Sequence, residues 1–289
     1  MDISNITDTI IQTINTIFGN LFSSIDNNIY SVLDEITFVD TDILKTTHFE
    51  NIFGSSIDSG FLLIANALII GFLLYYAIKL TLSNFFICQV QPPYQFLLKI
   101  IILATFMNSS FFICEQIINI VSLMSSSIRA LGEELFDVNI CFSSLVEKLN
   151  TVIYLENSNL NIFSIDGIIK SFISFGFFNL IFSYSVRYIM VKVFILISPF
   201  AILSYSTSPS FLKAWVKCFL SLLLVQILVS IVLLILFAID FNSSNLFSKF
   251  IFVGAIFSLI KANSYVRDIM GGISTDIQSG MSGLKNMMI

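Results

Sequence analysis

The sequence predicts an all-α integral membrane protein, with about five transmembrane helices plus amphipathic and extramembrane helices. Three observations predict it. Of 289 residues, 56% are hydrophobic and only 11% are charged, whereas a soluble domain carries about 25% charged residues. A chain so poor in charge cannot cover a water-facing surface. Phenylalanine alone fills 31 positions, bulk suited to contact with acyl chains. Several apolar stretches also approach the roughly 20 residues that a helix needs to cross a hydrocarbon core about 30 Å thick.

Composition argues against other classes. The net charge of −5 offers no basic surface for nucleic acid. Cys88, Cys114, Cys141 and Cys218 stand apart in the chain, and His48 is the single histidine. Metal ligation needs such residues clustered, so neither a metal nor another cofactor is expected. A cysteine in an apolar segment usually serves as a small hydrophobe.

The elements follow in order. Residues 1–57 are expected to form an extracytoplasmic amphipathic helical region. Met1 to Asn20 contain no Lys or Arg, so the charged start of a signal peptide is missing. Ile6, Ile10, Ile14, Ile17, Leu21 and Phe22 recur at helical spacing between polar residues. Such a helix fits the membrane surface, a partner, or the rest of its own chain. Residues 58–114 hold the first two spans, Phe61 to Ile78 and Phe96 to Cys114, joined by a short loop containing Pro92-Pro93.

Residues 115–166 read as an extracytoplasmic helical segment. Ile117, Val121, Met124, Ile128, Leu131 and Leu135 keep helical spacing, so the second span is expected to continue outside as a helix. Glu133 and Glu134 stand near its end. Two carboxylates can do acid–base work, but neighbours in a helix do not face each other. The pair therefore reads as a partner-facing acidic patch, and no catalytic residue is expected.

Residues 167–262 carry spans three to five. Gly167 to Tyr205 is long enough to cross once or twice. The window Gly167 to Val186 holds one charge, Lys170, near its outer end. Placing Arg187 at mid-bilayer would cost about 2.5–3.5 kcal/mol. One crossing is therefore expected, with a re-entrant or interfacial segment near 188–217 and a bend at Pro199. A long tilted helix is the alternative. Ser208 then reads as a helix cap and Pro209 as the first helical residue. Phe211, Trp215 and Phe219 share one face and Lys213 and Lys217 another, an inner-surface helix with its tryptophan at the interface. Span four is Cys218 to Ile239, and span five is Leu246 to Ile260, with Lys249 snorkelling outward. Residues 263–289 form a cytoplasmic tail whose glycines lack a phosphate-binding GK[ST] element.

Charge sets the expected orientation, because cytoplasmic loops collect Lys and Arg. An N-terminus outside and a C-terminus inside, with five crossings, puts nine of the 14 basic residues inside. They are Lys79, Lys99, Arg187, Lys192, Lys213, Lys217, Lys261, Arg267 and Lys285. A second crossing in the long stretch leaves fewer inside. A flipped six-span arrangement scores equally, but only by placing Lys79 and Lys99 outside around the shortest loop.

Some polar residues are candidates for a channel lining or a bundle interior: Arg187, Lys192, Asn108, Asn179 and Gln226. In lipid such groups bond across helices, or they line a water-filled path. Glu133, Glu134, Lys213 and Lys217 are the candidates for partner contact.

Two groups of segments carry a family likeness. One is Asn108-Ser109-Ser110-Phe111-Phe112-Ile113-Cys114-Glu115-Gln116, followed by Ile128-Arg129-Ala130-Leu131-Gly132-Glu133-Glu134. The other is Ser198-Pro199-Phe200-Ala201-Ile202-Leu203, leading to Phe211-Leu212-Lys213-Ala214-Trp215 and on to Gln226. From about Phe61 to the tail, the chain resembles the TrbL-type polytopic membrane subunit of type IV secretion systems, found in conjugative elements of Gram-positive bacteria. The resemblance implies a non-enzymatic channel or platform subunit for conjugative DNA transfer and protein export. It implies assembly in several copies with ATPases, other membrane subunits and extracellular channel proteins. Membrane lipids and a transported single-stranded DNA or protein substrate complete the expected partners. The alternative is a small-solute transporter, kept open by Pro199 and Arg187.

Overall fold

A computed structural model describes residues 27–54, 60–83, 92–152, 165–206, 209–239 and 246–270, with isolated helical residues near the start. The amphipathic pattern over residues 6–22 and the tail from 271 onward lie outside the described residues, as does the expected cap Ser208. The described residues are helical, with no strand among them. They form α1 (Asn27–Thr37), a 3-10 turn (Thr41–Ile43), α2 (Thr47–Phe53), α3 (Gly60–Ser83), α4 (Pro93–Asn108), α5 (Ser110–Phe136), α6 (Phe142–Val152), α7 (Ile165–Ser204), α8 (Pro209–Ala238) and α9 (Leu246–Met270).

Five of these helices are long and apolar enough to cross a membrane: α3, α5, Phe175–Ser204 of α7, α8, and Phe250–Met270 of α9. The chain is a multi-pass α-helical membrane protein. Apolar side chains cover much of its outside, among them Ile70, Leu74, Phe172, Phe175 and Phe257. In water such a surface would associate; against acyl chains it costs nothing.

The set of five differs from the expected one at the second span. That stretch divides at Ser109, whose φ of −89° and ψ of 4° leave the helical well. Helical hydrogen bonds continue on both sides, from Ser109 N–H to the Thr105 carbonyl and from Ile113 N–H to the Ser109 carbonyl. Helices α4 and α5 thus join directly through a bend at Ser109, with no loop between them. At 1.5 Å per residue, the 16 residues of α4 reach only about 24 Å. The 27 residues of α5 suffice for a crossing, and they include positions expected to lie outside the membrane.

The long third stretch also differs. Ile165–Ser204 is one continuous helix of 40 residues, with Pro199 inside it. Tyr188 to Ser204, expected to turn back or lie flat, simply extends the helix. One unbroken helix crosses once. At about 60 Å it is twice the thickness of the hydrocarbon core. Its neighbour α8 starts at Pro209, the expected first helical residue. Trp215, expected at the membrane interface, packs inward instead. It is buried, stacks on Phe219 at 5.3 Å, and donates its ring N–H to the Phe194 carbonyl at 3.0 Å. The last span also extends past Ile260, since α9 runs to Met270.

Packing centres on α8, which touches α5, α7 and α9. Its Leu222, Leu223, Val229 and Leu233 are fully or nearly fully buried. Small groups let α5 approach closely: Ser125 meets Ser230 at 2.7 Å, and Gly132 lies against Leu234 and Ile140. Between α7 and α9, the Tyr184 hydroxyl donates to the Leu259 carbonyl at 2.9 Å, and Asn263 bonds Ser183 at 2.6 Å. Helices α3 and α4 pair antiparallel, with Asn66 bonded to Asn108 and Tyr76 stacked on Phe96. They pack on the end of α7, where Phe61 meets Phe200.

The N-terminal segment from α1 to α2 forms a strap along this bundle. Tyr30 packs edge-on to Phe177 at 5.4 Å, and Phe53 packs against Phe111 at 4.9 Å. Its own Leu33, Val39, Leu44 and Phe53 are buried.

Candidate functional site

The polar centre of the bundle is Arg187, midway along α7 and fully buried. Among the described residues its guanidinium has no carboxylate partner. It donates through Nε to the Leu222 carbonyl, through Nη1 to the Thr37 carbonyl at 2.8 Å, and through Nη2 to Gln226 Oε1 at 3.5 Å. Each acceptor has a physical reason. Thr37 ends α1, so its carbonyl lacks an intrahelical donor. The negative end of the α1 dipole also points at the cation. Leu222 and Gln226 lie one turn apart on α8 and present one face. A buried charge is costly unless hydrogen-bonded, and here α1 and α8 supply three acceptors.

The polar seam continues from this node. Gln226 gives its backbone carbonyl to the Ser230 hydroxyl at 2.9 Å, and Ser230 meets Ser125 of α5. Thr37 Oγ1 and Gln226 Nε2 are buried without a hydrogen-bond partner among the described residues.

Two more basic residues engage the same strap. The Arg129 guanidinium lies 4.1 Å from the centre of the Phe38 ring. Lys192 sits 5.7 Å from the Phe49 ring and 5.0 Å from that of Tyr188. Such cation–π contacts contribute about 0.5–2 kcal/mol each. Arg187, Arg129 and Lys192 thus all hold residues 37–49.

The strap is also tied to α6. Asp34 accepts the Phe142 N–H at 2.8 Å, the Ser143 N–H at 3.4 Å and the Ser143 hydroxyl at 3.1 Å. It caps the α6 N-terminus from another element. Burial raises the Asp34 carboxyl above its ordinary pKa, and these hydrogen bonds pull it part of the way back. At the far side of α6, Lys148 donates to the Phe237 and Ile239 carbonyls at 3.1 and 3.2 Å, closing the end of α8.

Of the five candidate interior residues, Arg187 and Gln226 come together. The others lie apart. Lys192 is half-buried among aromatic rings, Asn108 is exposed and bonded to Asn66, and Asn179 lines an outer groove between α7 and α9. Glu133, Glu134, Lys213 and Lys217 are all exposed. Thr37, Arg129, Asp34 and Lys148 were not singled out by sequence reasoning. Their partners lie far off in the chain, 150 residues away for Thr37 and Arg187, and local spacing carries no such signal.

Chemically the site holds and positions. Among the described residues, no group of His, Cys, Asp or Glu is placed to bind a metal. The arginine N–H groups used are spent on the chain itself. No protein-family model matches the sequence, and neither a curated protein nor a solved structure shows significant similarity to it.

Proposed function

We propose that this protein is a membrane platform or channel subunit of a type IV secretion system, supporting conjugative transfer of DNA and protein across the cell membrane. The observation that carries the reading is the convergence of the segments that resemble the TrbL-type family. Cys114, Ala201 and Trp215 come from three of those segments, and they share one buried cluster with Phe111 and Leu212 packed against it. Gln226, the last residue quoted for the likeness, accepts from Arg187. Residues of the resembling segments thus help to form one buried core, as a scaffold subunit requires.

The transporter reading rested on Pro199 and Arg187. Pro199 sits within a continuous helix, and Arg187 is bonded to its own chain. Neither is presented to a solute, so the scaffold reading is favoured.

In this reading the N-terminus is outside and the C-terminus cytoplasmic. Two contacts support alternating passages. Lys99, in the first half of α4, donates to the Ser206 carbonyl at 3.2 Å, which sets that half of α4 beside the C-terminal end of α7. Lys148 groups α6 with the far end of α8. Several copies assemble with ATPases, other membrane subunits and extracellular channel proteins. The exposed Glu133-Glu134 and Lys213-Lys217 pairs face those partners.

Deleting the gene from a donor cell tests the proposal. Conjugative transfer should be lost while small-solute uptake stays normal, and transfer should return with the wild-type gene. Undiminished transfer from the deletion strain would refute the secretion role.

A further inference from the structure

On the outside of the bundle, α7 and α9 run side by side and leave a groove of about 730 Å³. Phe175, Phe178 and Phe257 wall it, each more than half exposed. Gly176 and Ile256 form its floor, in such close contact that a Cβ at Gly176 would lie 2.5 Å from Ile256. The Ser183–Asn263 hydrogen bond closes one end.

Two polar groups break this apolar lining, and both lie toward the closed end. Asn179 is one turn past Gly176, and its carboxamide makes no hydrogen bond among the described residues. Lys261 follows Ile260 on α9, and its ammonium makes no ion pair among the described residues, with the Phe257 ring 5.9 Å away. An amide without a partner in an apolar setting is costly. A lone ammonium beside acyl chains is costlier. The groove is therefore amphipathic along its length. One end suits hydrocarbon, and the other offers an amide and a cation.

We infer that this groove binds one anionic phospholipid. Its acyl chains lie along Phe175, Phe178 and Phe257. Its glycerol ester carbonyl accepts from the Asn179 amide, and its phosphate pairs with Lys261. Charge complementarity selects this occupant over a zwitterionic lipid, as basic pockets between membrane helices select acidic head groups. The site is independent of the secretion reading, because its test needs only the purified chain.

Native mass spectrometry of the detergent-purified full chain provides that test. The protein is offered equal amounts of phosphatidylglycerol and phosphatidylcholine. Wild type should retain phosphatidylglycerol preferentially. Lys261→Gln should cut that preference about fivefold, the effect of one basic residue at an anionic lipid surface. Val253→Trp, which fills the groove, should reduce retention of both lipids. Wild-type preference in Lys261→Gln, or unchanged retention in Val253→Trp, would overturn the assignment. So would a change in oligomer mass with lipid retention unaltered, since the groove would then be an interface between copies.

Discussion

At the scale of single residues, the structure answers how a greasy bundle tolerates arginine. Arg187 is solvated by the protein. It takes its acceptors from the end of α1 and from one turn of α8. Arg187→Met should loosen the strap by about 1–3 kcal/mol, the usual cost of leaving buried acceptors unmet. Thermal unfolding in detergent would read this as a lower midpoint, with earlier protease cutting near residues 37–47. Arg187→Lys should recover little, because an ammonium lacks the planar fork that reaches separated acceptors. Gln226→Leu should cost less than Arg187→Met. Its Oε1 receives only the 3.5 Å bond, and its Nε2 is already unsatisfied. A larger loss for Gln226→Leu would mean that the node is held differently. The sequence indicated that Arg187 should face protein or water, since its cost in lipid is plain from its position. It did not indicate the partners, because Thr37 is 150 residues away.

At the scale of elements, short polar helices are held by their ends and long apolar ones by their faces. Helix α6 is capped by Asp34 at its start and tied through Lys148 to the end of α8. Asp34→Ala should cost about 1 kcal/mol, as loss of an N-cap does, and should free α6 to exchange its amide protons faster. The faces depend on small residues. A Cβ at Gly132 would lie 2.6 Å from both Ile140 and Leu234. Gly132→Val should therefore destabilise by about 1–3 kcal/mol through overpacking, seen as a lower thermal midpoint. An unchanged midpoint would show that α5 and α8 can part without cost. Helix lengths were partly legible. Apolar runs predicted α3, α8 and the start of α9, because hydropathy alone decides there. The boundary between α4 and α5 was not, because Ser109 bends the helix without any proline or glycine to mark it. The extension of α7 past Arg187 was expected only as the alternative, a long tilted helix, for a related reason. Hydropathy prices that residue as if it met lipid, whereas the neighbouring elements bury and bond it.

For the whole molecule, the contacts change what the charge count means. Arg187 and Lys192 were counted as cytoplasmic, yet both engage the strap. Orientation therefore rests on Lys79, Lys99, Lys213, Lys217, Lys261, Arg267 and Lys285. These still favour an N-terminus outside, with α4 and α5 counted as one passage. The account's central claim is a bundle of five passages, with α6 outside and the α7–α8 turn inside. Thiol labelling in intact cells tests it most directly. Cys141, half-exposed just before α6, should react with an impermeant maleimide. In a variant with Cys141 removed, Lys213→Cys should react only after the cells are opened. Labelling of Lys213→Cys in intact cells, with Cys141 protected, would contradict the account.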